Sequence, residues 1–586
     1  MTNKKSKINL NNKKIQRINY IHYILVFLFV FLIWGISISF DFSFLDDDKI
    51  ILDDYSSILA SSKLTGSFLK DSYLDIYYRP IVNLSFIIDA AIAGKLPYIY
   101  HLTNVTIHAF SICCLLYLFT FWNVENKKAL VWTLIAASHP LLSNSIAWIP
   151  GRNDLILGLN FILGFIFFLK YVDNRKHISL IISSVFILFS FLSKETGLII
   201  PLILLSYLLI FKQNEMFRYY QFFISTILIY IIYAFLRSNS NIDSAIAANI
   251  GITNICKNLF ILPEIILKTL FPFILSPLPQ FNLLISTAGF ILFCVVLWFI
   301  FKNRYKSDFK YMLFGIIIFI ISLVPGLISS YEKFGIDYFE CRAYLPLFGI
   351  LIACISIEKS EIKIYHNKYI LIIALAIGVG ATLNNISNYS SADSFYKKAV
   401  ATSPESAIAN FGYGVCFDNS KELNQAAKYY RKAIEIAPNY QQAYNNLGIL
   451  LMKSKQLEES ISLFKKALNI SESSRQYYNL GLAFNNNNQK DSAIINFYKA
   501  LALDSSNPDI YINLGSSLFF KNDLPNAMKA YQKAIGLDRK SVLAYKNLAV
   551  LYGKIGDTVN QLMNFRVAAN LGSAEAQKWL EKRWYK

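Results

Sequence analysis

The residues with most to offer chemistry stand early in the chain, in FLDDDKIILDDY, where Asp46, Asp47, Asp48, Asp53 and Asp54 crowd together. Carboxylates this close repel one another, so some are expected to keep a proton or to share a cation. One such group can deprotonate a hydroxyl as a general base, and a pair can hold a divalent metal against a phosphate leaving group. An arbitrary acidic run is more often a solvated loop, so this one decides nothing alone. A second set of polar residues changes the balance. Arg79 in YYRPIVNLSF, His101, Asn104 and His108 in YHLTNVTIHA, His139 in SHPLLSN, Arg152 and Asp154 in IPGRND, Lys194 and Glu195 in SKET, and Glu340 and Arg342 in FECRAYLP all lie in or beside apolar stretches. Polar groups there are costly unless paired or functional. Singly, each reads as a paired structural residue or a lipid-headgroup contact; several on one face form a pocket for an anionic, phosphate-bearing ligand.

The elements that must position them are membrane helices. Of 586 residues 55% are hydrophobic and only 16% charged, with a mean hydropathy of +0.39, too apolar for a soluble enzyme and far from a disordered chain. Eleven apolar stretches approach the roughly 20 helical residues that cross a bilayer: 20–40, 102–122, 129–147, 154–171, 178–192, 196–211, 218–236, 281–301, 310–330, 342–357 and 368–383. The net charge of +19 lies largely in short segments beside these runs, as in cytoplasmic loops, so nucleic acid is not an expected partner and membrane lipids are. Lys4, Lys5, Lys7, Lys13, Lys14 and Arg17 place residues 1–19 in the cytoplasm as a basic tail. Alternate connections then carry the cations, provided that 256–277, with Glu264, Lys268 and two prolines, lies at the interface instead of crossing. On that register the segment 41–101 is a long first external loop holding the aspartates, and the C-terminal part is external too. Cys113, Cys114, Cys294 and Cys354 sit inside apolar runs, so neither a disulfide framework nor a metal clamp can be drawn.

From about residue 385 a repeat takes over. Gly414, Gly448, Gly481, Gly515 and Ala549 recur at steps of 34, 33, 34 and 34, the tetratricopeptide period. Small residues (Ala426, Ser460, Ala493, Ala527) mark helix crossings. Aromatics (Tyr430, Phe464, Phe497, Tyr531, Phe565) follow four positions later, expected to fill the gap toward the next unit, and alanines (Ala433, Ala467, Ala500, Ala534, Ala568) come three beyond. Ala392, Tyr396, Ala399 and Pro404 match a second helix one period upstream. The expected architecture is all-α: a multi-spanning membrane domain over 20–384, a half-unit at 385–404 fused to the last span, five repeat units over 405–573 forming an α-solenoid, and a capping helix at 574–586.

The succession of DD after the first span, YRP, G-x-x-P-x-x-YHLTN-x-x-x-HA, HP-x-x-x-x-x-AWI-x-GR-x-D, SKE and E-x-R-x-YLP ahead of tetratricopeptide repeats resembles the transmembrane and tetratricopeptide repeat-containing O-mannosyltransferases and their prokaryotic relatives, over nearly the whole chain. The resemblance implies a C-type glycosyltransferase fold that takes a sugar from a polyprenyl-phosphate donor on the outer face. It also implies a catalytic carboxylate pair, here Asp46 and Asp47 or Asp47 and Asp48. Asn144 stands where the family pattern is acidic and Cys341 where a second basic residue is usual, which leaves the donor sugar open.

The expected activity is an inverting transfer to a hydroxyl acceptor, with protein O-glycosylation as the leading form. Asp46, Asp47 and Asp48 are the candidate catalytic residues. Arg79, His101, Arg152, Lys194 and Arg342 are candidates for the donor phosphate, with Asn104, His139, Asp154, Glu195 and Glu340 in support. The concave face of 405–573 would bind a protein or peptide acceptor. No cofactor is assigned; a divalent metal is an option the aspartates leave open, and no metal site is assigned. The competing expectations are a non-catalytic membrane scaffold recruiting an envelope or luminal partner, and a transporter, which the lack of internal halves with broken helices disfavours. The abundance of Lys, Asn and Ile points to a bacterial inner membrane with periplasmic repeats, with an ER membrane and luminal repeats as the alternative.

Overall fold

The computed structural model describes residues 20–42, 77–240, 255–303 except 257 and 274, 309–327, 343–358 and 368–584. Asp46, Asp47, Asp48, Asp53, Asp54, Glu340 and Arg342 lie outside the described residues. Among the described residues the chain is helical with no strands, as expected, and it divides into two compact units between Ser406 and Ala407.

The first unit opens with α1 (Tyr20–Trp34). Next, within the segment 41–101 expected as an external loop, comes α2 (Pro80–Ala93), with Pro at its first position, where the missing N–H costs nothing. Then come α3 (Pro97–Phe121) and α4 (Asn126–Ala137). The expected span 129–147 is not one helix. It stops at Ala137, and His139–Pro140 opens a 3-10 turn (Pro140–Leu142), one helical turn (Ser143–Ile146) and a second 3-10 turn (Ile149–Gly151) before α5 (Arg152–Asn174). Pro140 and Pro150 each enter a 3-10 segment near its start, since proline favours beginnings and breaks interiors. The stretch 196–211 is likewise broken, a 3-10 segment (Glu195–Ile199) leading into α7 (Ile200–Phe211), preceded by α6 (His177–Phe191). The unit continues through α8 (Tyr220–Ser238), the short α9 (Leu262–Leu270), α10 (Leu283–Asn303), α11 (Phe309–Leu327), α12 (Tyr344–Glu358) and α13 (Lys368–Ile386). Among the described residues, five helical stretches are long and apolar enough to cross a membrane: 20–39, 97–121, 149–174, 213–238 and 309–327. Five further apolar helices are shorter, so eleven crossings do not follow from helix length.

Burial ranks these helices. The apolar window around α5 is 78% buried and that around α8 only 22%, so α5 is central and α8 presents its apolar side chains outward, as a lipid-facing helix does. Helices α11 and α12 meet backbone to backbone. A Cβ on Gly315 would collide with the carbonyl of Gly349, and one on Gly349 with that of Gly315, the small-residue crossing typical of membrane helices. The Trp34 indole donates to the Ala137 carbonyl at 2.7 Å, and the Thr382 hydroxyl to the Ser138 carbonyl at 2.6 Å. The broken HP turn is therefore held from both sides. α14 (Ala392–Thr402), the expected half-unit helix, belongs to this first unit and starts in a Ser391–Ser394 capping box. The Thr402 hydroxyl donates to Ser276 Oγ at 2.7 Å.

The second unit alternates first and second repeat helices: α15 (Ala407–Asn419), α16 (Leu423–Ile436), α17 (Gln441–Lys453), α18 (Leu457–Ile470), α19 (Ser474–Asn486), α20 (Lys490–Leu503), α21 (Pro508–Phe520), α22 (Leu524–Leu537), α23 (Val542–Ile555) and α24 (Thr558–Asn570). α25 (Ala574–Trp584) closes it, Trp579 stacking on Phe565 at 4.2 Å. Ala426, Ser460, Ala493 and Ala527 are fully buried, and Ser460 Oγ bonds the Gly448 carbonyl across the crossing. The aromatics do more than bridge to the next unit. Each covers the glycine of its own unit: a Cβ on Gly414, Gly448, Gly481 or Gly515 would stand 2.6–2.8 Å from the ring of Tyr430, Phe464, Phe497 or Tyr531.

Candidate functional site

The described chain leaves α1 at Phe40 and Phe42 and returns at Tyr77. Both ends dock on the same part of the first unit. Phe42 packs with Val82, Phe86, Tyr100 and Ile149 in one apolar cluster, and Phe40 lies edge-on to the His101 ring at 6.2 Å. Tyr77 supports the Arg79 guanidinium at 4.1 Å from its ring centre.

From there three ion pairs follow one another, two buried on both sides and one half-buried at its carboxylate. Arg79, immediately before α2, makes a two-pronged contact with Glu195, Nη2 to Oε2 at 2.7 Å and Nε to both oxygens at 3.2 and 3.3 Å. The neighbouring Lys194 places its Nζ 2.6 and 2.7 Å from the two oxygens of Asp154 in the first turn of α5. Two residues before that aspartate, Arg152 is fully enclosed. Its Nη2 meets Asp89 Oδ2 at 2.6 Å and the Tyr100 carbonyl at 2.8 Å, Nε donates to Asn104 Oδ1 at 2.8 Å, Nη1 reaches Ser85 Oγ at 3.3 Å, and the group lies over the Phe86 ring. Asp89 also accepts from Thr103. Since Arg79 and Asp89 stand at the two ends of α2, the ladder clamps that helix at both ends onto the start of α5 and the turn before α7. Charges buried this way persist only because each is paired and further hydrogen-bonded.

The structure thus brings together Arg79 with Glu195, Lys194 with Asp154, and Arg152 with Asn104. Asn104 also donates to the carbonyls of Ile146, Trp148 and Ile149, fixing the turn that presents Arg152. His101 is buried beside this cluster, and neither ring nitrogen has a hydrogen-bond partner among the described residues. His139 does not join the ladder. Its Nδ1 accepts from the Leu141 N–H and its Nε2 lies 3.0 Å from the Thr269 carbonyl, so it is neutral, carries its proton on Nε2, and serves the HP turn and α9. His108 similarly bonds the Tyr344 hydroxyl. Asp89 was missed in the sequence; its signal is a lone carboxylate inside the apolar run SFIIDAAIA, which must find a cation. Among the described residues no three His, Cys, Asp or Glu side chains converge as a metal site.

The repeat unit carries a separate cavity of about 390 Å³ between successive first helices, lined by Ser474, Arg475, Tyr478, Asn479, Asp504, Asn507 and Ile510. The Ser506 hydroxyl and backbone N–H bond Asp504 at 2.6 and 2.9 Å and hold its carboxyl below the usual carboxylate range. One rim is cationic and the other anionic. Above them Asn479 bonds Asn445, and Asn513 bonds the Tyr478 hydroxyl, extending a polar track from unit to unit.

Sequence models of the tetratricopeptide repeat match residues 386–441, 419–481, 475–507 and 515–556, so the C-terminal region is a tetratricopeptide array. The chain is similar to the mouse (Mus musculus) protein named Protein O-mannosyl-transferase TMTC2, 34% identical over 116 residues, 19% of this chain and 13% of that one. It is also similar to mouse Protein O-mannosyl-transferase TMTC1, 32% identical over 110 residues, 19% of this chain and 12% of that one. These matches span about an eighth of the relatives' length. Among solved structures, YrrB, described as a TPR protein with an unusual peptide-binding site, aligns with 32% of this chain and 97% of its own at 21% identity and a TM-score of 0.29.

Proposed function

We propose that this membrane protein with a tetratricopeptide array is a glycosyltransferase that moves a sugar from a polyprenyl-phosphate carrier to a hydroxyl of a protein or peptide on the non-cytoplasmic face. The observation that carries the reading is the ladder of ion pairs at the root of the segment bearing Asp46, Asp47 and Asp48. Asp47 is five positions beyond Phe42, so covalent length alone keeps it within about 18 Å of that residue. The names of the relatives support the same chemistry, and mannose is the first sugar to try.

In the proposed step the acceptor oxygen attacks the anomeric carbon opposite the phosphate. The bond from that carbon to the phosphate oxygen breaks with its electron pair staying on the phosphate, a new carbon–oxygen bond forms, and the acceptor proton passes to Asp47 or a neighbouring aspartate. The products are the glycosylated hydroxyl and polyprenyl monophosphate. Charge develops on the leaving phosphate and on an oxocarbenium-like sugar, so positioning and fixed charge supply the rate. Arg79 is the phosphate ligand of this reading, with His101, Lys194 and Arg342 as further candidates for that role. Arg152 and Asn104, enclosed by their own partners, hold α2 and α5 in place as positioning residues, and Asp154, Glu195 and Glu340 balance the cations. No step needs a metal. The cavity around Arg475 and Asp504 would hold an extended acceptor segment, its two charged rims and amide track suited to a peptide backbone. The proposed setting is a bacterial inner membrane with the repeats in the periplasm.

The test is to incubate purified protein with a panel of polyprenyl-phosphate sugars and to measure released polyprenyl phosphate. Turnover with at least one donor is expected, and Asp47→Asn should lower it about a hundredfold or more, with Asp46→Asn and Asp48→Asn assigning the base. A second reading, a non-catalytic scaffold, draws on the fact that each cation of the ladder already holds a protein carboxylate. It predicts that all three Asp→Asn changes leave the cellular phenotype intact while removal of 405–586 abolishes it.

A further inference from the structure

Among the described residues, the ladder pairs its charges one to one. Arg79, Lys194 and Arg152 face Glu195, Asp154 and Asp89, three cations against three carboxylates. A phosphodiester brought to Arg79 would compete with the carboxylate already paired to that guanidinium, and a second anion held against one buried cation is costly. It can be accommodated at no change in net charge by taking the place of one carboxylate. The six partners are not equally able to yield. The Arg152–Asp89 side chains are 0% and 4% exposed and the Lys194–Asp154 side chains 9% and 9%, but Glu195 is 33% exposed against 8% for Arg79.

The backbone around Glu195 is fixed while its side chain is partly exposed. Lys194 is pinned by both oxygens of Asp154, and a Cβ on Gly197 would strike the Ser190 carbonyl, so the 3-10 turn sits hard against the end of α6. Arg79 in turn is held over Tyr77 and presents Nε and Nη2 side by side, the fork that matches two oxygens of a phosphate as well as two of a carboxylate. We propose that Glu195 is a displaceable counter-ion: it occupies the phosphate subsite on Arg79 in the ligand-free protein, the lipid-borne phosphodiester displaces it toward its exposed side, and its return expels the product. This rests on the transferase reading. In that reaction the diester, with one negative charge, becomes a monoester that carries more and holds the guanidinium more strongly, and a carboxylate competing for the same group offsets that grip.

The experiment is binding of a long-chain polyprenyl monophosphate to full-length protein in zwitterionic nanodiscs, with inorganic phosphate and phosphatidylglycerol as separate arms. Glu195→Gln, which keeps the shape but removes the competing charge, should bind the polyprenyl lipid about tenfold more tightly. Glu195→Asp, too short for the two-pronged contact, should tighten it less, and Arg79→Ala should lose it. With a sugar-charged donor, Glu195→Gln should lower KM and also lower kcat, because product leaves more slowly. Unchanged or weaker binding in both Glu195 variants, at unaltered melting temperature, overturns the proposal, as does equal tightening for inorganic phosphate or phosphatidylglycerol. Tighter lipid binding without sugar release from any donor would remove the transferase reading and leave the counter-ion in place; turnover with an unchanged KM in Glu195→Gln would do the reverse.

Discussion

The two units spend the same charged residue types in opposite ways. The first holds three ion pairs inside, Arg152–Asp89, Lys194–Asp154 and Lys268–Glu264, with side chains less than a tenth exposed, beside exposed ones such as Arg218–Glu215. In the repeats, pairs such as Arg431–Glu459 and Lys521–Asp491 are about half exposed or more on both sides. Apolar burial through a strict period already defines the solenoid, so its charges can stay in water, where a pair is worth little. A membrane unit has no such solvent, and a charge within it must be matched by another that fixes where two helices meet. The contrast teaches that the buried pairs of the first unit specify geometry, whereas the exposed pairs of the repeats decorate it.

The comparison breaks first at Arg152. Replacing it by Ala leaves Asp89 buried without its cation, and the expected loss is about 3–5 kcal/mol, read as a large drop in melting temperature and in protease resistance of the first unit. The double change Arg152→Met with Asp89→Leu, which removes both charges, should recover much of that loss. Arg431→Ala in the repeats should cost under about 1 kcal/mol. Equal effects at the two sites would show that burial is not what separates them.

This difference also explains what could be read from the sequence. The solenoid was legible because its information is local and repeated: Gly448 and Phe464 recur one period on as Gly481 and Phe497, and the half-unit helix at Ala392–Thr402 follows from the same pattern. The polar residues of the first unit were visible as exceptions in apolar surroundings, but their pairing was not. Arg79 and Glu195 are 116 positions apart and Arg152 and Asn104 are 48 apart, and periodicity says nothing about such contacts. Asp89 escaped because it is a single polar residue on a helix that had been read as loop. The break at Pro140 was hidden by averaging apolarity across 129–147, although a proline followed by a second at Pro150 is a stop signal by its own chemistry.

A smaller effect sharpens the contrast inside the solenoid. The residue between the two helices of each unit adopts a left-handed conformation: Lys421 (φ 63°), Lys455 (φ 61°), Asn488 (φ 58°), Asn522 (φ 65°) and Gly556 (φ 84°). The period is again kept, but the residue type is not, so the sequence did not reveal it. Lysine is strained there and glycine is not. Lys455→Gly is therefore expected to stabilise the repeat unit by about 0.5–1 kcal/mol, net of the greater freedom glycine has in the unfolded chain. The exposed Lys453→Gly, within α17, should destabilise by a similar amount. Thermal melts of the two variants followed by circular dichroism, in low and in concentrated salt to screen the Lys453–Asp418 pair at 3.7 Å, would separate turn geometry from loss of charge.

The smallest effect is a pH dependence of the exposed pairs. The Lys546 ammonium donates to Glu575 Oε2 at 2.7 Å and adds its charge, and together these hold the Glu575 carboxyl below its ordinary value of 4.5. A carboxyl depressed in the folded state binds fewer protons there than in the unfolded chain. Its contribution is therefore complete above the unfolded value and is lost as pH falls through the lower folded one. The difference in melting temperature between the natural chain and Glu575→Gln should thus be constant from neutral pH to about pH 5 and close below it. At neutral pH the same difference should shrink in concentrated salt, which screens a pair as exposed as this one. A gap that persists unchanged at acid pH would mean that Glu575 anchors α25 by packing, and the surface pairs of the solenoid would then be closer in kind to the buried ladder than their exposure implies.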